Sequence, residues 1–208
     1  EAEQIVIRKW TGGGGDWTKT PSALPAWTET LKPAERRPRQ ELIALANQYF
    51  EGIEQLNGSI VPFENGVCIR WENGRQTAPS TGPMTNVVPV SQGQAAPATG
   101  GGADLGRLNC GEQFDTGTLK YIPSITQRRF LAVDEERGIV YASVMFQHPG
   151  NVLEVDVPGK GKVELKFGLA RYPNTTNIIE AFRLRNGKIT NIHAYISLLP
   201  YRQKSGWD

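Results

Sequence analysis

The stretch Ile178–Ser197, reading IIEAFRLRNGKITNIHAYIS, constrains the fold more than any other part of the chain. Asn186-Gly187 supplies the positive φ angles that a two-residue hairpin turn requires, and the flanking residues are rich in strand-favouring Ile, Phe, Thr and Tyr. The stretch therefore reads as two antiparallel strands joined by a tight turn. A second hairpin precedes it, with Arg129–Val133 and Ile139–His148 on either side of the charged turn Asp134–Gly138. Val163–Ala170 is a further strand candidate. The C-terminal half is thus expected to form a long, curling antiparallel sheet with an apolar face to cover.

The cover lies upstream. From Pro38 to Glu54 the apolar residues Leu42, Leu45, Ala46, Tyr49 and Ile53 recur at steps of three and four, and Pro38 suits a first-turn position. The opposite face carries Arg39, Glu41, Gln48, Glu51 and Gln55, so the helix is amphipathic. Ile60–Phe63 and Val67–Trp71 have strand composition and are broken by Asn65-Gly66 and Asn73-Gly74. Residues 1–37 read as an extended N-terminal arm anchored by Trp10, Trp17 and Trp27. Residues 76–106 are rich in Gly, Pro, Ser, Thr and Ala, too poor in bulky side chains to fix a structure alone, and read as a flexible insertion. The remainder, 38–208, is expected to be one α+β domain, a size that buries a core without metal.

Charge excludes some partners. The 23 basic and 21 acidic residues are interspersed and leave a net charge of +2, so no basic stripe for nucleic acid stands out. No apolar run approaches the roughly 20 residues of a membrane-spanning helix. The first residue is Glu1, and Glu1-Ala2-Glu3 has the look of a processing remnant, so the chain reads as matured by export or trimmed. Cys68 and Cys110 flank the flexible insertion. In an oxidising compartment they would pair and close its ends, the alternative being two buried free thiols. Asn57-Gly58-Ser59 and Asn174-Thr175-Thr176 are glycosylation sequons if a eukaryote exports the chain. A secreted or periplasmic location is expected.

The amphipathic helix, the connecting strands and the curled sheet ending in FRLRNGKITNIHAY resemble the nuclear-transport-factor-two-like superfamily, also called SnoaL-like. The resemblance is closer to a poorly characterised branch of it. It rests on Val61-Pro62-Phe63, Cys68-Ile69-Arg70 with Glu72-Asn73-Gly74, Cys110-Gly111-Glu112-Gln113, Arg128-Arg129, Val133–Val140, Phe146–Gly150, Phe182–Ile189 and the Pro-Tyr and Ser-Gly-Trp ending. It runs from about Leu42 to Trp207. The branch carries an acidic residue where this chain has His193. The resemblance implies a cone, in which a bent sheet wraps the helix around an apolar pocket, and dimerisation through the outer sheet face, so a homodimer is expected. The superfamily hosts isomerases, dehydratases, hydrolases, cyclases, carbon–carbon lyases and non-catalytic binders, so it implies no single reaction.

Only two histidines occur, His148 and His193, and histidine exchanges protons near neutral pH. Alternation groups Asn191, His193, Tyr195 and Ser197 on one face of the last strand and Ile192, Ala194, Ile196 and Leu198 on the other. If the polar face looks inward, His193 serves as acid or base; if outward, it is a surface or dimer-seam residue. His148 stands before Pro149-Gly150 and either caps that turn or joins the chemistry. Glu180 shares a face with Phe182 and Leu184, which points either to a buried carboxyl with a raised pKa or to one paired with Arg70 or Arg129. Tyr49 would aim its hydroxyl at the pocket. Arg70, Arg129, Tyr195, Tyr201 and Trp207 are candidate substrate contacts. No metal-ligand spacing and no nucleotide-binding motif appears, so neither metal nor cofactor is expected. The leading expectation is a cofactor-independent lyase for a small hydrophobic or aromatic molecule, such as a lignin-derived diaryl compound. The alternatives are a non-catalytic ligand-binding module and an epoxide or lactone hydrolase.

Overall fold

A computed structural model describes residues 25–64, 68–79, 87–89 and 105–206. The helix expected from periodicity is present as α2 (Arg39–Gln55), preceded by a single helical turn, α1 (Pro25–Thr28). Of the predicted apolar face Leu42, Ala46, Tyr49 and Ile53 are buried and Leu45 is half-buried, and Phe50 and Gly52 are buried beside them. Nine strands follow: β1 (Ile69–Glu72), β2 (Arg75–Ala78), β3 (Val87–Pro89), β4 (Ser124–Asp134), β5 (Ile139–His148), β6 (Glu154–Val157), β7 (Gly161–Leu165), β8 (Asn174–Arg185) and β9 (Lys188–Leu199). The architecture is α+β, with a large curved sheet wrapped on α2.

Six strands make the main sheet in the order β2-β1-β9-β8-β5-β4, and β3-β7-β6 make a smaller one. Both expected hairpins form. Asn186 and Gly187 take φ of 52° and 73°, and Asn73 and Gly74 take 47° and 78° in the β1–β2 turn, the left-handed pairs such turns need. The sheet departs from an all-antiparallel plan at one place. β1 runs parallel to β9, pairing Ile69 with Asn191 and Trp71 with His193, because the chain returns to the sheet through α2 and its following turn rather than through a hairpin.

Three other expectations need correction. Ile60–Phe63 is not a strand: Gly58–Ile60 is a 3-10 turn, and Phe63 makes a single bridge to Ile189. The strand expected at Val163–Ala170 stops at Leu165, and Gly168–Arg171 turns into a short helix whose Ala170 packs with Leu105, Val155, Val157, Val163 and Leu165. The stretch 76–106 is not uniformly without structure, since most of β2 and all of β3 fall inside it.

The core lies between α2 and the concave face of the main sheet. Tyr49 sits at its centre, its ring 5.1 Å from Phe182, 5.4 Å from Phe114 and 5.5 Å from Phe50, with tilted or edge-on geometries that favour aromatic contact. Inward-facing Val140, Ala142, Val144, Ile178, Phe182, Ile192 and Ala194 complete it. The disulfide forms between Cys68 and Cys110, with Cα atoms 6.0 Å apart across a sequence separation of 42. The convex face is covered in part by the end of the N-terminal arm. Arg183 donates to the carbonyls of Ala26 and Glu29, closing the C-terminal end of α1, and Trp27 lies against His193. The C-terminal segment returns to the sheet, with Arg202 N–H donating to Thr175 Oγ1 and Ser205 N–H to Gln127 Oε1. Trp10, Trp17 and Trp207 lie outside the described residues.

Candidate active site

Inside the cone, between α2 and β5, β8 and β9, is a cavity of about 220 Å³. That exceeds the ~150 Å³ that holds a benzene ring and falls below the ~300 Å³ where drug-sized pockets begin. Most of its wall is apolar, from Ile53, Leu119, Ile122, Phe146, Ile178 and Ile196. Polar groups gather at two poles. Along the inner face of β8, Thr176, Ile178 and Glu180 project in turn, so the poles stand about 13 Å apart at the backbone.

The first pole is built on Glu180, only 2% exposed. Burial, reinforced by the negative charge of Glu72, pushes its carboxyl up to about 8, against the smaller opposing pull of a hydrogen bond to Tyr49 and the charge of Arg70. Arg70 donates to the Tyr49 oxygen. The Tyr49 proton is therefore free to point at the carboxyl, and burial holds it on the phenol well above its ordinary range. Glu180 Oε2 has no partner among the described residues. A buried carboxyl oxygen left without a partner is costly unless a water or ligand completes it. Arg70 itself is fully engaged. Its Nε donates to Thr77 Oγ1 at 3.0 Å and pairs with Glu72 Oε1 at 2.9 Å, while Nη2 donates to Gln113 Oε1. Its charge is spent inside the protein, so the cavity is not an anion trap.

The second pole is His148, 1% exposed. Its Nδ1 lies 3.4 Å from the Tyr121 carbonyl and its Nε2 3.1 Å from Thr176 Oγ1. A carbonyl only accepts, so Nδ1 carries the proton and the Thr176 hydroxyl donates to Nε2. Burial depresses the imidazole to about 4 and keeps it neutral in ordinary conditions. The Tyr121 ring stacks on it at 5.4 Å and bridges to the small sheet through Phe167 at 4.9 Å.

Gln113, which sequence reasoning passed over, reaches this cavity from the short helix Cys110–Asp115. Asn109, Cys110, Glu112 and Gln113 each have a structural task. Asn109 and Glu112 form a reciprocal capping box, and Cys110 carries the disulfide. The helix packs against Gly58, where an added Cβ would fall 2.2 Å from the Gly111 carbonyl oxygen. Gln113 turns its amide inward. Tyr121, Thr176 and Glu72 also line the cavity without having been singled out as site residues; the strand-end composition around them carries no distinctive signal.

Of the residues expected at the site, the structure brings Tyr49, Arg70, His148 and Glu180 to one cavity. His193 is a correction. It lies on the opposite face of β9, 4.9 Å from the Trp27 ring and 6.2 Å from Trp71. Ala194 and Ile196 take the inward positions instead. Burial under Trp27 lowers its affinity for a proton, and its Nε2 has no hydrogen-bond partner among the described residues. Tyr195 shares that outward face. Arg129 is not among the cavity residues and donates to Ser143 Oγ, another outward residue. Tyr201 sits in the tail beneath the Arg202 guanidinium, 5.3 Å from its ring. Trp207 is beyond the described residues. Among the described residues no cluster of potential metal ligands occurs.

Solved structures are similar at low identity, among them the following three. A de novo designed protein with a curved β-sheet is 12% identical, with 77% of this chain and 88% of the other covered at a TM-score of 0.41. AusH from Aspergillus nidulans is 12% identical over 77% and 86% of the two chains at a TM-score of 0.39. PrhC from Penicillium brasilianum is 14% identical over 76% and 82% at 0.37. Among curated proteins the sequence finds no significant match. A family profile matches residues 35–196, a span that contains α2, every residue named above as lining the cavity, and both cysteines. The chain therefore belongs to the family described as a domain of unknown function, DUF8021.

Proposed function

We propose that the chain is an enzyme of the nuclear-transport-factor-two-like kind that moves a proton on a small, largely apolar molecule without a cofactor. Glu180 is the proton carrier. The observation that supports this most is a buried carboxyl on the wall of a largely apolar cavity, its Oε2 without a hydrogen-bond partner among the described residues and its proton affinity raised to about 8. Near pH 7 such a group is mostly protonated and donates to a ligand oxygen; it recovers the proton without leaving the operating range. Tyr49 and Arg70 oppose the rise, so the carboxyl still ionises within reach of neutral pH. Neutral His148 and Thr176, already bonded to each other, line the far end of the cavity, with the Thr176 oxygen left as an acceptor. Elimination fits this set: protonated Glu180 gives its proton to a departing hydroxyl or alkoxide as the C–O bond breaks, and the carboxylate so formed takes a proton from the neighbouring carbon as the C=C bond forms, leaving an alkene with water or an alcohol. A lyase acting on an aromatic alcohol is the finer reading. The disulfide favours an oxidising compartment, secreted or periplasmic.

The test is a panel of neutral hydroxylated aromatics, diaryl alcohols included, followed for loss of water or formaldehyde with no cofactor added. Wild type should turn over a member that Glu180→Gln binds equally well but converts about 10²–10⁴-fold more slowly. Equal rates for both proteins would overturn the assignment. Binding by both with turnover by neither would make the chain a ligand-binding module.

A further inference from the structure

The disulfide and Gln113 meet at Arg70. Cys68 lies two residues before Arg70 on the way into β1, and Cys110 lies three residues before Gln113 at the start of the short helix, so the bond ties together the two segments that carry these side chains. Gln113 has no freedom to turn over. Its Nε2 donates to the Thr77 carbonyl at 2.8 Å, the Leu108 carbonyl at 3.2 Å and the Gly106 carbonyl at 3.4 Å, which leaves Oε1 facing Arg70 Nη2. Glu72 acts on the same guanidinium from another side. It pairs with Arg70 Nε at 2.9 Å and its side chain is 33% exposed, so it draws the cation toward solvent. Gln113, 7% exposed, holds it in.

We propose that Gln113 is a positioning residue of the cavity, kept in place by the Cys68–Cys110 disulfide, and that it holds Arg70 docked on the Tyr49 hydroxyl beside Glu180. This rests on the reading of Glu180 as the proton carrier. Without the amide, Arg70 is left to its Nε contacts with Glu72 and Thr77 and moves off Tyr49, the carboxyl loses a cation that lowers its proton affinity, and its proton is held more tightly. The site then stays protonated over a range in which the intact site would ionise.

The experiment is a carbon-13 titration of the Glu180 side-chain carboxyl in ligand-free protein, the signal being assigned by its absence in Glu180→Gln. Wild type, Gln113→Ala and the double variant Cys68→Ala/Cys110→Ala are compared. The titration midpoint should move upward by about 0.5 or more in Gln113→Ala and in the same direction in the double variant. A midpoint unchanged or lowered in Gln113→Ala overturns the clamp. A midpoint raised there but unchanged in the double variant overturns the role given to the disulfide. If the double variant does not fold, Gln113→Ala decides the clamp, and the same titration of wild type with the disulfide reduced decides the role of the bond. A wild-type midpoint in the ordinary carboxylate range would instead refute the proton-carrier reading, so the two failures are told apart.

Discussion

Replacing Glu180 by Gln keeps the shape of the side chain and removes its titration, so its effect on stability against pH is a direct consequence of the site. In the folded protein the carboxyl titrates at about 8 instead of the ordinary 4.5. Between those values the folded state binds a proton that the unfolded state has lost, so stability falls as pH rises. At about 1.36 kcal/mol for each tenfold difference in proton affinity, the full interval amounts to a loss on the order of 5 kcal/mol. Below pH 4.5 both states are protonated and the loss vanishes; above about 8 both are ionised and it is complete. Urea unfolding of wild type and Glu180→Gln at pH values from 4 to 9 reads the difference, in which all other titrations cancel. The variant should gain on wild type by about 1.4 kcal/mol per pH unit through the window and then level off. Parallel stability curves would refute the buried, proton-holding carboxyl.

Other perturbations test the surrounding structure. His148 works in the opposite sense: held down at about 4 against an ordinary 6.5, it leaves the unfolded state with the extra proton, so stability falls as pH drops from 6.5 toward 4. It therefore offsets Glu180 below pH 6.5, and His148→Gln should expose a slope there that wild type lacks in urea titrations. Reduction of the disulfide, or its removal by double substitution, should cost about 4 kcal/mol in the chain-entropy picture for a separation of 42, read as a drop in the denaturation midpoint. Gly58→Ala would force a Cβ to within 2.2 Å of the Gly111 carbonyl oxygen, backbone that cannot turn aside, and should destabilise by roughly 1–3 kcal/mol. His193→Gln should leave ligand binding in the cavity unchanged by calorimetry and alter the fluorescence of Trp27, since its contacts lie on the outer face.

The hairpins, the helix and the cysteine pair were legible because each depends on local rules: turn residues with positive φ, a 3.6-residue period, and two thiols flanking a stretch poor in bulky side chains. Burial of Glu180 was legible from its company with Phe182 and Leu184, and Arg70 emerged as a cation facing it. The direction of His193 was not, and the reason is one residue. A plain two-residue turn at Asn186-Gly187 would set Glu180 opposite His193 and put both on one face. The register instead shifts between Leu184↔Ile189 and Arg183↔Asn191, leaving Thr190 as a bulge whose hydroxyl donates to the Arg183 carbonyl. A shift of one residue exchanges the two faces of everything beyond it, so Glu180 pairs with Ala194 and His193 turns outward. Gln113 escaped notice for a different reason. Its importance comes from a contact with Arg70 across 43 positions of sequence, and no local pattern encodes that contact. The parallel joining of β1 to β9 is likewise set by where α2 delivers the chain.

Infrared difference spectra of wild type against Glu180→Gln, recorded from pH 5 to 10, test the central claim most directly. A protonated carboxylic acid band belonging to Glu180 should be present at pH 6.5 and give way to a carboxylate band with a midpoint near 8. A Glu180 signal that is already carboxylate at pH 6.5 would contradict the account.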